Sequence, residues 1–399
     1  MSLVNGAAQA PEAGASLACW AFSREGLVTG RTLCARLAEH PWTTPDGAAV
    51  GRCRLLAPAR ICGEDTAAAT PGPAAEPFAR FSSALGAAFH QHRAHIVIGA
   101  AGIAVRALAP LLVHKSQDPP VVVLDAAGRY VVSLLSGHWG GANDLARHVA
   151  WLLGGEAVIT TASDAGPDSD AGGGAHGPAL DVLARSAGLT LLDWERLPRV
   201  AAALLEGQPV PLSDPGCCLP AARAPHFRRG ASEACGDIPL VTVHWRKIAP
   251  GPHVLRLAAP RLFAGVGCRR NVPAAPIREA VLETLAARGL EPAALAALAT
   301  VEEKAAEPGL AEAARALGVP LLSYAAPRLA AVPVPTPSAA AGARFGLAPF
   351  SVCEGAALLA AEEARPGVGA RLLAPKTVFA GKITVAVAVS ATADEGETA

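Results

Sequence analysis

The chain has 399 residues, half of them apolar, with 34 basic and 34 acidic side chains that cancel to a formal charge of zero. That length predicts two or three domains with a sizeable buried core, and the balanced charge argues against a nucleic acid or an anionic membrane surface as partner. Only 4% of residues are aromatic, which also removes the stacking platforms of a single-strand binder.

No apolar run reaches the roughly 20 residues that a membrane-crossing helix needs. The first twenty residues lack a basic start and a compact apolar segment, so they read as a frayed polar tail and not as a secretory signal. Nine cysteines without a CxxC pair suit reduced thiols and a cytoplasmic location.

Residues 17–23 predict an opening strand, followed by a helix around Thr32–Glu39. Asp65–Pro77, rich in Ala, Thr, Pro and Gly, reads as a loop, and a helix is expected near Ala79–His92. "HIVIGAAGIAVRALAPLL" then predicts a strand at Ile96–Ile98, a glycine turn at Gly99–Gly102 and a helix at Ile103–Leu112. "PVVVLDAAGRYVVSLLS" holds two β-branched runs joined by a turn at Asp125–Gly128, a hairpin signal. After the loop "SGHWGGAN" comes a helix with Asn143 as its cap, Asp144 in its first turn and Gly154 just past its end. "EAVITTASD" supplies another strand with a polar tip.

The alternation breaks at 165–180, and signals stay weak to about Pro260: helices at Asp181–Ala187 and Val200–Leu205, and a strand at Pro239–Val243. Alternation resumes with "RLFAGVGCRRN" as strand then glycine turn, and with a helix at Ala275–Arg288. "LAALATVEEKAAEPGL" reads as strand, polar tip and helix start, and "VPLLSY" as a strand. A helix at Glu354–Glu363 and the closing strand "KITVAVAVS" complete the chain. The fold class is therefore α/β: two layered, Rossmann-like regions with a less regular middle section. The expected domains are 15–165, 166–260 and 261–390.

In open α/β sheets ligands bind beyond the carboxyl ends of strands, so the polar tips are candidate site walls. Ser136, Gly137, His138, Gly140 and Gly141 lie between a strand end and a helix start, where exposed N–H groups favour an anion. His138 is the only titrating side chain in that loop and can act as general base or acid; equally, the glycines can serve only a tight turn with His138 capping a carbonyl. Arg106, beside Gly99 and Gly102, can hold a carboxylate by a bidentate fork and Lys115 as a point charge, or both can be solvated surface charges. Thr160, Thr161, Ser163 and Asp164 suit an orienting role or a turn.

Gly265, Gly267, Arg269 and Arg270 stand at an expected helix start, where two adjacent cations suggest an anionic ligand or a compensating ion pair. Cys268 reads as structural rather than nucleophilic. Glu302, Glu303, Lys304 and Glu307 follow a strand, where most such runs are solvated. His90, His92 and His95 are spaced so that the first two point apart on a helix, which disfavours a metal site. Walker A, GxGxxG, HExxH, zinc and GxSxG patterns are absent from the sequence.

Taken together, "GAAGIAVRALAPLL", "KSQDPPVVVLDAAGRYVVSLLSGHWGGANDLARHVAWLLGGEAVITTASD", "GVGCRRN", "EEKAAEPGL", "TPS" at Thr336–Ser338, "SVCEGAALLAA" and "KITVAVAV" resemble the cobalamin-biosynthesis family CbiG, the cobalt-precorrin-5A hydrolases. These motifs cover most of 80–165 and 261–390 in the family's order; "SGH.GGAN" with "TTA.D" is the specific pair, and the carboxy-terminal motifs also resemble CobE. Trp139 replaces the family's usual leucine, Asn271 its common glycine and Ser163 its usual threonine.

The resemblance implies opening of the ring A δ-lactone of a cobalt-bound macrocycle, with release of acetaldehyde, in the anaerobic route to cobalamin. It implies no cofactor and no protein metal, since cobalt is carried by the tetrapyrrole substrate. Under that implication His138 is the expected base, the Gly140 and Gly141 N–H groups the oxyanion donors, and Ser136 and Asp164 the orienting groups. Gly99, Gly102, Arg106, Lys115, Gly137, Asn143, Thr160, Thr161, Gly267, Arg269, Arg270 and Lys304 are the expected substrate contacts. Nucleic acid and membrane are not expected partners; transient contact with other enzymes of the pathway is. The rival readings are a non-catalytic carrier of tetrapyrrole intermediates and a nucleotide-binding enzyme of unrelated chemistry.

Overall fold

The computed structural model describes residues 16–62, 71–160, 179–219 and 226–390. Contacts group the chain into two compact units, Met1–Ala175 and His176–Ala399.

The first unit runs β1 (Leu17–Ala21), α1 (Arg24–Glu39), β2 (Trp42–Thr43), β3 (Ala49–Val50), β4 (Cys53–Pro58), α2 (Ala59–Cys62), β5 (Glu76–Phe78), α3 (Phe81–Ala88), β6 (Ala94–Ile98) and α4 (Ala101–Leu108). It continues with β7 (Val121–Leu124), β8 (Tyr130–Leu135), α5 (Ala142–Leu153) and β9 (Glu156–Val158). Seven strands form one sheet in the order β5-β4-β1-β6-β7-β8-β9. Every neighbouring pair in it is parallel except the β7–β8 hairpin. Because side chains alternate along a strand, Leu17, Cys19 and Ala21 face the layer of α1 and α5, while Ala18 and Trp20 face α3 and α4. All five residues of β1 are buried, as expected of a central strand covered on both faces.

Helix α1 begins eight residues before the expected Thr32. Ser23 caps it by accepting the Gly26 N–H at 3.0 Å, and Leu27, Gly30, Cys34 and Leu37 then recur at helical spacing on its buried side. The expected cap of α5 is also corrected: Gly141, in a left-handed conformation, occupies that position, and Asn143 lies inside the helix.

The second unit begins with α6 (Leu180–Ser186), β10 (Thr190–Leu191), α7 (Leu197–Leu205), β11 (Val210–Ser213), β12 (Phe227–Arg229), β13 (Leu240–His244) and β14 (Val254–Ala258). This weakly patterned section builds a full sheet, β10-β14-β13-β11-β12, over a core shared with α6 and α7. Asp193 fastens it by receiving the Nε and Nη2 of Arg256 at 2.8 and 2.7 Å.

Next come β15 (Leu262–Cys268), α8 (Ala274–Ala287), β16 (Leu295–Val301), α9 (Glu302–Ala305), α10 (Pro308–Ala316), β17 (Leu321–Tyr324), α11 (Ala326–Ala330), α12 (Ala339–Phe345), α13 (Val352–Ala364), β18 (Ala370–Phe379) and β19 (Ile383–Ser390). Their sheet is ordered β17-β16-β15-β19-β18, with β15, β16 and β17 mutually parallel. Helices α8 and α10 pack on one face and α13 on the other. Gly265 and Gly267 are strand residues here, not turn residues. A Cβ at Gly265 would stand 1.8 Å from the Cys353 carbonyl oxygen, so glycine is what lets α13 lie directly on β15.

Candidate active site

Strand β8 ends at Leu135, and the loop that follows is held by its own chain. Ser136 has a left-handed backbone (φ 58°), a conformation uncommon for a residue with a side chain. Its hydroxyl donates to the Asp118 carbonyl at 2.9 Å, and its carbonyl accepts the Ala142 N–H at 3.2 Å. The Asn143 N–H reaches the Gly137 carbonyl at 3.1 Å. The Gly140 and Gly141 N–H groups stand at the start of α5, where the helix dipole favours negative charge. His138 is half-buried between them and Ser136.

The crowding shows why glycine is required. A Cβ at Gly140 would lie 2.6 Å from the Ser136 Cβ, one at Gly137 2.7 Å from the Asn143 Oδ1, and one at Gly141 2.6 Å from the Pro45 Cγ. The close approach is made by the protein itself.

Two expected roles change. Asn143 is buried and accepts the Ser133 hydroxyl at 2.7 Å, so its side chain ties α5 to β8 and is not placed to meet a substrate. Ser136 holds the loop against the 113–118 segment; its hydroxyl proton is engaged there, which leaves its oxygen as an acceptor only. Asp118, which is buried, closes that segment by accepting the Val113 N–H at 3.1 Å.

Strand direction sorts the remaining candidates. In the hairpin Val121 pairs with Leu135, so the end of β8 lies at the amino edge of β6 and β7. Ser136–Gly141 and the Lys115–Asp118 turn therefore share that edge. Thr160, exposed and two residues past β9, joins them because β9 is parallel to β8. Gly99, Gly102 and Arg106 follow β6 at the opposite, carboxyl edge, on the order of 10 Å away along four residues of strand. Exposed Arg106 folds back on its own helix, donating to the Gly102 carbonyl at 3.1 Å. The expected grouping of that glycine turn with the histidine loop is thus corrected. Thr161, Ser163 and Asp164 lie outside the described residues.

In the second unit, Gly267, Arg269 and Arg270 close β15, and Lys304 follows the parallel β16 at the same edge. The two arginines are exposed in the turn ahead of α8 and not in its first turn. Lys304 is buried and donates to Glu307 Oε1 at 2.8 Å, while Glu307 Oε2 accepts the Asn271 N–H at 3.1 Å. The Lys304 hydrogen bond first, then the Asn271 N–H, holds the Glu307 carboxyl below its usual range. Lys304 is therefore a strut that fixes the arginine turn, which corrects its expected role as a substrate cation. Asn271 is left-handed (φ 58°), a conformation shared by glycine and asparagine, which accounts for asparagine standing where glycine is common. Burial pushes the Cys268 thiol up against the pull of Lys304, in keeping with a structural cysteine.

One residue at this edge lies beyond the sequence reading. Glu354, fully buried in the first turn of α13, accepts the Thr336 N–H at 3.2 Å and the Lys376 N–H at 3.0 Å. Its signal was an acid in the first turn of "SVCEGAALL"; its two partners are distant in sequence and leave no local mark.

An α/β protein with a glycine-rich histidine loop on one sheet and an arginine turn on another is thereby defined. Three family models match in succession: Cobalamin synthesis G N-terminal over residues 83–164, Cobalamin biosynthesis central region over 178–257, and Cobalamin synthesis G C-terminus over 262–388. A cobalt-precorrin-5A hydrolase of Salmonella typhimurium is 36% identical over 264 residues, 62% of this chain and 71% of that protein. One from Priestia megaterium is 30% identical over 315 residues, 75% of this chain and 79% of that protein. The crystal structure of CobE, a protein from the cobalamin biosynthetic pathway, is 35% identical with a TM-score of 0.30, over 32% of this chain and 92% of that one. The chain belongs to the CbiG family of cobalamin-biosynthesis proteins. Among the described residues, no helix is long and apolar enough to cross a membrane.

Proposed function

We propose that the chain is a cobalt-precorrin-5A hydrolase of the anaerobic cobalamin route, acting in the cytoplasm. The observation that carries this reading is the 36% identity with the Salmonella typhimurium enzyme of that name across 71% of its length. Water adds to the lactone carbonyl of the ring A acetate, the ester C–O bond opens, and the acetate becomes a free carboxylate. The released alkoxide forms a carbonyl as its carbon–carbon bond to the macrocycle breaks, and acetaldehyde departs while the macrocycle keeps the electron pair and gains a proton.

In this reading His138 accepts the proton of the attacking water, and the Gly140 and Gly141 N–H groups receive the developing oxyanion. Lys115 and Thr160 share the histidine's edge and meet the acetate and propionate chains. In the second unit Arg269 and Arg270 are a separate candidate holder of carboxylates, on a turn fixed by Lys304 and Glu307. Cobalt arrives with the substrate, and the hydrolysis requires no resident cofactor. Anaerobic incubation with cobalt-precorrin-5A and an assay for acetaldehyde test the assignment. Stoichiometric aldehyde supports it; tight binding of unchanged substrate would identify a carrier instead.

A further inference from the structure

Three of the nine cysteines meet in the first unit. Cys19 on β1, Cys34 on α1 and Cys53 at the start of β4 place their sulfur atoms within 4.8 Å of one another. The strand register explains the meeting: Leu17 pairs with Cys53 and Cys19 with Leu55, so the two strand cysteines are diagonal neighbours on the face that α1 covers. Cys34 descends onto them one helical turn after Gly30. A Cβ at Gly30 would lie 2.7 Å from the Leu55 Cδ1 and 3.5 Å from the Cys19 Sγ, so glycine brings α1 close enough for its thiol to reach the pair. Cys19 and Cys34 are buried, and Cys53 is half-buried at the rim.

A core position of this size is filled equally well by alanine or valine, whereas three converging thiols are a soft donor set. Metal–thiolate bonds of about 2.3 Å put three sulfurs roughly 3.8–4.0 Å apart, inside the observed limit. We propose that Cys19, Cys34 and Cys53 form a tri-thiolate site for a divalent d10 cation of the zinc class. Each sulfur gives its proton to solvent on binding. Three thiolates and a divalent ion leave one net negative charge; a monovalent ion would leave two in an apolar surrounding, which burial penalises. The Cys53 rim is where a water can enter to complete a tetrahedron. The site pins β1, α1 and β4 together and takes no part in lactone opening, since β6 and β7 separate β1 from β8.

The test uses the full chain, reduced and stripped with chelator, in a background carrying Cys217→Ser and Cys235→Ser to remove the two exposed thiols. Cadmium is followed by ultraviolet thiolate-to-metal absorption, and zinc by competition with a chromophoric chelator. The expected result is one equivalent bound with a raised Tm, and a loss of affinity of about a hundredfold or more in Cys34→Ser and in Cys53→Ser. Cys53→Ser, at the rim, keeps the test open if Cys34→Ser does not fold. Unchanged uptake in the variants overturns the site, as does a parent protein that takes up neither ion. A disulfide among the three in air, with no uptake by the reduced form, also overturns it and assigns a redox pair.

Discussion

The indole N–H of Trp20 donates to the Nδ1 of His95 at 3.1 Å, and the opposite ring nitrogen of His95 donates to the Phe89 carbonyl at 3.0 Å. This arrangement admits only the neutral imidazole, because a proton on Nδ1 would confront the indole donor. Burial, opposed by the bond to Phe89, draws the pKa of His95 down to about 4. In the unfolded chain the same group titrates near 6.5, so its contribution to stability is complete above that pH. Between 6.5 and about 4 the unfolded state binds a proton that the folded state refuses, and stability falls as pH falls. By pH 5 the linkage amounts to about 2 kcal/mol. Urea denaturation at pH 7.5 and pH 5 checks this: His95→Leu should lose less stability on acidification than the parent, whatever its stability at pH 7.5.

Gly140→Ala should cost about 1–3 kcal/mol by overpacking against Ser136 and should abolish most aldehyde release. Gly154→Ala is the matched control. Gly154 is left-handed (φ 72°), which Gly140 is not, and nothing lies within 4 Å of a Cβ there, so it reports backbone strain without crowding. It should lose about 1 kcal/mol from backbone conformation alone and keep its turnover. Equal loss of activity in both would place the sensitivity in general stability and not in the loop.

His138→Ala should lower kcat about 10²–10⁴-fold with folding intact. His138→Gln, which keeps a hydrogen-bonding side chain but cannot act as a base, should be nearly as slow. Recovery of rate by glutamine would make His138 a strut.

Arg269→Ala should act on binding. Losing one charge-assisted hydrogen bond of about 1.5–3 kcal/mol raises KM by about 10–100-fold with kcat little changed. A selective fall in kcat would move the arginine into the chemistry.

Asn271→Gly should change the melting free energy by no more than about 0.5 kcal/mol, since glycine also accepts the left-handed backbone. Asn271→Val should lose about 1–2 kcal/mol and raise KM together with it, because the arginine turn depends on that geometry. Thermal melts paired with steady-state kinetics separate the two.

Much of the fold is legible because its signals are local. The glycine turn after β6, the β7–β8 hairpin and the strand-helix alternation after Arg261 need only a dozen residues each. Strands β11, β12 and β14 of the middle section are short, and β11 contains a proline; only sheet partners from elsewhere in the chain make them strands. The site divides the same way. The glycine-histidine loop is visible as a pattern. The edge it occupies follows from the pairing of β7 with β6, and Asn143 is tied to Ser133 across the turn from β8 to α5; the Lys304–Glu307 pair is local in sequence, but its spacing does not say that it is buried. The family models match the two alternating regions and the middle section alike.

Glu354 has a consequence for the order in which the second unit assembles. Its carboxylate is the hydrogen-bond partner of the Thr336 N–H, which precedes it in the chain, and of the Lys376 N–H, which follows. During synthesis the Thr336 segment therefore emerges without its anchor and waits for α13; β18 then arrives to a carboxylate already in place. Docking of the earlier segment and docking of the later strand meet at one side chain, so a Glu354→Ala chain should release both as it folds. A protease acting on the finished variant should then cut near Thr336 and near Lys376 faster than it cuts the parent.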